Sequence, residues 1–210
     1  MINKLWRFGD SWSKTADDKY SNIELNHSQY IADYFGLELK HLGDGGLSNL
    51  QIFKRILENT HLYSPNDIIL INFASTHRVS IIDGSTIICT ANGGDMVLKN
   101  KILMNVISND MGKPISDILF YLIKSHLESL MHMGVKVYQF CNDNSYEDSV
   151  KIKNNLIFKN TYNTGFIGWC KDNGYEDLSP AGNVHYTVGS QRNIANKIIE
   201  LIEAYDNKEK

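Results

Sequence analysis

Asp67-Ile68-Ile69-Leu70-Ile71-Asn72-Phe73 reads as a strand with apolar residues at both odd and even positions. A strand that is apolar on both faces belongs to a parallel sheet with helices packed on either side. Upstream, Lys4 to Phe8 reads as a first strand that stops abruptly at Gly9-Asp10-Ser11. Asn22 to Phe35 then has helical spacing, with Gly36 placed as a C-cap. Leu37 to Leu42 alternates and reads as a second strand, closed by the turn Gly43-Asp44-Gly45-Gly46. Ser48-Asn49 opens a helix through Leu50, Ile52, Phe53, Ile56 and Leu57, with Ser48 as the expected N-cap. Downstream, Ile81-Ile82 and Thr86 to Cys89 are expected to form a hairpin around Asp83-Gly84-Ser85. Ala91 to Asp95 reads as a loop. Val97 to Ile107 and Ile115 to Met133 read as helices, Val135 to Phe140 as a fourth strand and Thr164 to Trp169 as a short strand. Asn193 to Ala204 reads as a last amphipathic helix. Strands alternating with helices predict an α/β fold, a three-layer doubly wound parallel sheet.

The chain has 210 residues and a formal net charge of −3, with 42% hydrophobic and 21% charged residues. This suits one domain, assigned to 1–205, followed by a charged tail at 206–210. A core of this size needs neither disulfides nor a structural metal. Cys89, Cys141 and Cys170 are too few and too widely spaced for a zinc site or a disulfide framework. Mild acidity argues against a nucleic-acid binder that works by phosphate attraction. The N-terminus lacks the apolar stretch of a signal peptide, and the longest apolar runs are strand-sized. The expectation is a cytoplasmic protein with no membrane partner; a phage virion component released by lysis has the same features. Met104, Met111, Met131 and Met133 are expected in the core, and His126 and His132 are read as structural.

A doubly wound sheet binds ligands at the carboxyl ends of its strands, which directs the search for chemistry. After the first strand, Gly9-Asp10-Ser11 puts a hydroxyl in a sharp strand-to-helix turn, near helix amides able to meet an oxyanion. Taken alone, Asp10 and Ser11 read as turn and cap residues, because so short a motif often matches by chance. After the second strand, the glycines of Gly43 to Gly46 let the backbone approach a ligand; alone they are a turn. His185, just ahead of the last helix, suits a general base but is one of seven histidines.

Together these blocks resemble the SGNH, or GDSL-type, serine hydrolases from Phe8 to Ile198. The resemblance implies a flavodoxin-like fold and an esterase without cofactor or metal. Ser11 matches the nucleophile, and its N–H matches one oxyanion donor. Gly46 in Gly46-Leu47-Ser48-Asn49 matches the second-block glycine, and His185 matches the base. Two departures stand out. The family's third-block asparagine falls at Ala74, within Asn72-Phe73-Ala74-Ser75-Thr76-His77-Arg78. Ser75 to Arg78 is similar to a Thr/Ser-rich version in phage-encoded members, and Ser75, Thr76 or Asn72 would supply the missing donor. The family's aspartate falls at Gly182, leaving Asp177 or Glu176, or a backbone carbonyl, to orient His185.

The resemblance therefore implies a catalytic set of Ser11, His185 and Asp177. It implies an oxyanion hole of Ser11, Gly46 and Ser75, and substrate contacts at Asp10, Asn49, Asn72 and Arg78. The implied partner is a small-molecule or glycan ester, often an O-acetyl group. A rival reading is a catalytically degenerate module that binds a carbohydrate or a partner, with Trp12, Trp169 and Tyr186 as stacking surfaces. A phosphate binder built on Gly43 to Gly46 is a third, without GxxxxGK[ST] or GxGxxG to support it.

Overall fold

The computed structural model describes residues 2–9, 26–43, 47, 49–74, 78–80, 86–88, 112–142, 154–159, 161, 165–178, 184–186 and 190–208. At 78–80, 86–88, 112–120, 176–178 and 184–186 the description is of the backbone. The elements are β1 (Lys4–Gly9), α1 (His27–Phe35), β2 (Glu38–His41), α2 (Asn49–Glu58) and, after a 3-10 turn at Thr60–Leu62, β3 (Ile68–Phe73). β4 (Arg78–Ser80), β5 (Thr86–Ile88), α3 (Gly112–His132) and β6 (Lys136–Cys141) follow. The chain closes with α4 (Gly165–Asp172), β7 (Glu176–Leu178), β8 (Val184–Tyr186) and α5 (Gln191–Asp206). The main sheet has four strands in the order β2-β1-β3-β6, and every pairing in it is parallel.

The doubly apolar pattern of β3 is what builds the layers. Ile69, Ile71 and Phe73 join Trp6, Phe8 and Val137 in one core, closed by Ile52, Phe53 and Ile56 of α2 and Ile123, Leu127 and Leu130 of α3. Ile68 and Leu70 join Leu5, Tyr138 and Phe140 in the other, closed by α1, α4 and α5. Every residue of β3 is buried. At about 1.5–3 kcal/mol for each large apolar side chain removed from water, this strand is a major source of fold stability.

Element ends follow local chemistry. Asn26 caps α1, its side chain accepting from the Gln29 N–H at 3.1 Å. The helix therefore starts at His27, not at the expected Asn22. Gly36 ends it with a left-handed φ of 66°, and Leu37 N–H returns to Ala32 C=O at 2.8 Å.

Several expectations change. Gly165–Asp172 is a helix, where Thr164 to Trp169 read as a strand. Phe166 and Cys170, four residues apart, both face the core, and Phe166 meets Phe140 and Phe158 edge-to-face. The place beside β6 is taken instead by 154–159, through a parallel bridge from Gln139 to Asn155. Gln139 N–H donates to Asn154 C=O at 3.1 Å, and Leu156 N–H to Gln139 C=O at 2.7 Å. The expected hairpin after β3 is present as Arg78–Ser80 paired with Thr86–Ile88, Ser80 opposite Thr86, while Ile81-Ile82 lie outside the described residues. Asp206 belongs to α5 rather than to a tail, accepting from Lys136 Nζ at 2.6 Å and from the Tyr138 hydroxyl. Met133 is exposed, because α3 has ended before it; Met131 packs on the first core as expected. His126 is structural, sitting edge-on to Phe53 with Thr60 Oγ1 at 3.1 Å from its Nε2. The expected helix over Val97 to Ile107, the loop Ala91 to Asp95, the Ser48 cap, Met104 and Met111 lie outside the described residues. Among the described residues, no helix is long and apolar enough to cross a membrane.

Candidate active site

The strand order reverses at β1. The chain moves from β1 to β2 on one side, then returns to place β3 on the other. α1, which links β1 to β2, covers the second core, and α2, which links β2 to β3, covers the first. The two connections therefore leave the sheet on opposite faces. Sheets of this kind hold ligands beyond the carboxyl ends of the two strands that flank such a reversal, here β1 and β3. At that edge Gly9, the last residue of β1, is in register with Asn72 of β3.

Four groups of buried polar residues are described in β1, β3 and the segments that flank the sheet. Asn49, the first residue of α2, faces the peptide of Ala74, the first residue beyond β3. Its Oδ1 accepts from Ala74 N–H at 2.8 Å, and its Nδ2 donates to Ala74 C=O at 2.9 Å. Both residues are buried. The Asn49 side chain thus ties the start of α2 to the backbone of Ala74. Asn72 is fully buried, and neither end of its carboxamide has a hydrogen-bond partner among the described residues. Asn142, at the end of β6, ties its N–H to Phe73 C=O at 3.1 Å and accepts from Ile167 N–H at 3.1 Å.

The fourth group is cationic and was missed by sequence reasoning. Arg7 interrupts the apolar β1 yet is fully buried. Its Nη1 donates to Phe8 C=O at 2.7 Å and Leu70 C=O at 3.3 Å, and the guanidinium lies 5.3 Å from the Phe140 ring centre. His27, at the start of α1, is also buried. Gln191 Oε1 lies 3.0 Å from the His27 backbone N–H and 2.9 Å from ring Nδ1. An oxygen accepting the first bond makes Nδ1 the protonated nitrogen for the second. This contact ties the start of α1 to the start of α5. Burial, and then the nearby Arg7 charge, push the His27 pKa down to about 3, so the ring is neutral at ordinary pH. The one sequence signal for this group was a charged residue inside a strand otherwise apolar from Leu5 to Phe8.

The expected site residues distribute as follows. Asp10, Ser11, Gly46 and Ser75 lie outside the described residues, as do Trp12, Thr76 and Gly182. Arg78 opens β4, its backbone paired with Ile88. Asp177 and His185 are brought together: they are direct partners in the antiparallel β7–β8 ladder. That hairpin was not anticipated, because each of its strands is only three residues long. Trp169 is a packing residue, set against Phe158, Phe166 and Tyr175. Asp172 accepts from Thr161 N–H at 2.6 Å. Among the described residues, no three His, Cys, Asp or Glu side chains gather as a metal site. Comparison with family models, curated proteins and solved structures returns no significant match.

Proposed function

We propose that this chain is a serine ester hydrolase of the SGNH type on a flavodoxin-like framework. The observation that carries the reading is the register of β7 and β8. The family pattern places an acid three residues before the base, and here that position is Gly182. Asp177, the direct partner of His185 on the opposite strand, supports the reading in which it takes that role. Opposed positions of an antiparallel pair share a face and stand about 4.5–5.5 Å apart. The reversal of strand order at β1 adds support, since Ser11 follows Gly9 by two residues in the chain.

In this mechanism Ser11 Oγ attacks the ester carbonyl and His185 takes the proton. The oxyanion rests on the Ser11 and Gly46 N–H groups and a donor from Ser75. Asp177 orients the imidazole. His185 returns the proton to the departing alcohol, then activates water to release the acid. Asp10 and Asn72 line the substrate's approach, and Arg78 receives an anionic part of it. The acyl group is small, such as acetyl on a carbohydrate.

Purified parent and Ser11→Ala, assayed on 4-nitrophenyl acetate and acetylated glycans, provide the test. The variant is expected to lose activity by at least about 1000-fold, and a fluorophosphonate should label the parent alone. Equal activity would end the serine mechanism. One observation favours a non-catalytic binding module instead: Ala74 stands where the family has its asparagine and carries no side-chain donor for an oxyanion. An unlabelled parent that binds the glycan would establish that reading.

A further inference from the structure

We infer that Arg7 and Asn72 form a buried subsite for a carboxylate, on the face of the sheet covered by α1 and α5. The subsite stands on strand geometry; only its use, holding the acidic part of an ester substrate, rests on the ester-hydrolase reading. Arg7 lies on β1 and Phe140 on β6, with β3 between them. The guanidinium stands 5.3 Å from the Phe140 ring centre, and Nη1 donates to Leu70 C=O of β3 at 3.3 Å. The arginine side chain therefore crosses β3. It does so beside Asn72, because Phe140 is the register partner of Asn72 and Leu70 is the residue before Asn72 on the same face. The other register partner of Asn72 is Gly9, which adds no side chain to this face.

Both side chains are fully buried. Burial and then the Arg7 charge keep the neighbouring His27 ring neutral, so the positive charge at this place is the guanidinium's. Asn72 brings a donor, Nδ2, and an acceptor, Oδ1, and neither has a hydrogen-bond partner among the described residues. A carboxylate oxygen accepts from Nδ2 while the guanidinium offsets its charge. A hydroxyl next to that carboxylate gives Oδ1 its donor, so a hydroxy acid meets both ends of the amide. One guanidinium beside a neutral imidazole matches a singly charged carboxylate better than a phosphate group, which carries up to two charges.

The test uses the full chain with sodium glycolate, at an ionic strength held constant with chloride. At about ten times its Kd, glycolate should raise the parent Tm by about 3–6 °C, and inorganic phosphate should raise it less. The Asn72 side-chain NH2 and Arg7 Nε–H resonances should shift along a saturable curve. Asn72→Asp fixes a carboxylate beside the guanidinium, and Asn72→Leu removes the amide; each should weaken glycolate binding by about tenfold or more. If one variant does not fold, the other carries the comparison. Among 4-nitrophenyl esters, the parent should favour the hemisuccinate over the butyrate by about tenfold in kcat/KM, and Asn72→Leu should abolish that preference. No saturable glycolate binding by the parent, or parent-like binding by the folded variants, would overturn the subsite. Tighter binding of phosphate than of glycolate would overturn its assignment to a carboxylate. Glycolate binding with no preference between the two esters would overturn its use by the substrate. A parent that binds glycolate yet is inert to esters and fluorophosphonate would remove the hydrolase reading and leave the subsite supported.

Discussion

Acid should destabilise this fold through His27 in a way that a single substitution can remove. The ring is buried, donates from Nδ1 to Gln191 and faces Arg7, and its pKa falls from 6.5 to about 3. In the unfolded chain the same ring takes up a proton below about 6.5. Between those values the unfolded state binds more protons, so stability is fully present above pH 6.5 and is lost as pH falls towards 3. Each pH unit in that window costs about 1.4 kcal/mol, so moving from pH 7.5 to 5 costs about 2 kcal/mol from this residue alone. For a domain of this size that is a Tm change of about 4–8 °C. His27→Asn keeps a donor near the Nδ1 position and removes the titration. Urea midpoints of parent and variant at pH 7.5 and 5 isolate the effect, because every other titrating group is common to both. The parent should lose about 2 kcal/mol more than the variant over that interval. Parallel losses would show that the buried ring is not the acid-sensitive element.

Two further substitutions probe opposite ends of the sheet. Asp67, at the amino edge, accepts from Lys4 N–H at 2.8 Å, Trp6 Nε1 at 2.9 Å and Ser64 N–H at 3.1 Å. Asp67→Asn turns one acceptor into a donor facing donors, and should cost about 2–3 kcal/mol in denaturant titration while leaving fluorophosphonate labelling intact. Asn72→Leu, at the carboxyl edge, removes a buried amide with no partner among the described residues. It should raise the unfolding free energy by about 1–3 kcal/mol and lower reactivity, and a fall in Tm would show that the amide is paired.

The sheet was legible because its signal is redundant. The apolar run of β3, the alternation of β2 and the glycine after α1 each point to the same architecture, and the two cores follow from odd and even positions of β3. The α4 segment was misread because Thr164 to Trp169 is too short to separate a strand from one buried helix face; the four-residue step from Phe166 to Cys170 was the deciding clue. The β7–β8 hairpin carries too little apolar pattern to announce itself, so the pairing of Asp177 with His185 emerged from register and not from periodicity. Asn49 was singled out by sequence, but for a ligand contact. A carboxamide bonding a peptide twenty-five residues away leaves no local trace.

The two edges of the sheet are built on opposite energetic principles. At the amino edge, both oxygens of one buried carboxylate meet N–H donors from three residues, an arrangement suited to stability. At the carboxyl edge, the same strands bury an arginine, a neutral histidine and an asparagine amide without a described partner. Burying polar groups costs free energy, and an unpaired amide costs most of its hydration. Asn72 follows Ile68, Ile69, Leu70 and Ile71, so an apolar residue at that position would continue the strand's own pattern. A sheet shaped for stability alone would place its polar load evenly or not at all. Proteins break local rules of this kind chiefly where a site needs the polar group. This asymmetry supports placing the proposed site at the carboxyl ends of β1 and β3, on energetic grounds that do not depend on the Gly9-Asp10-Ser11 motif.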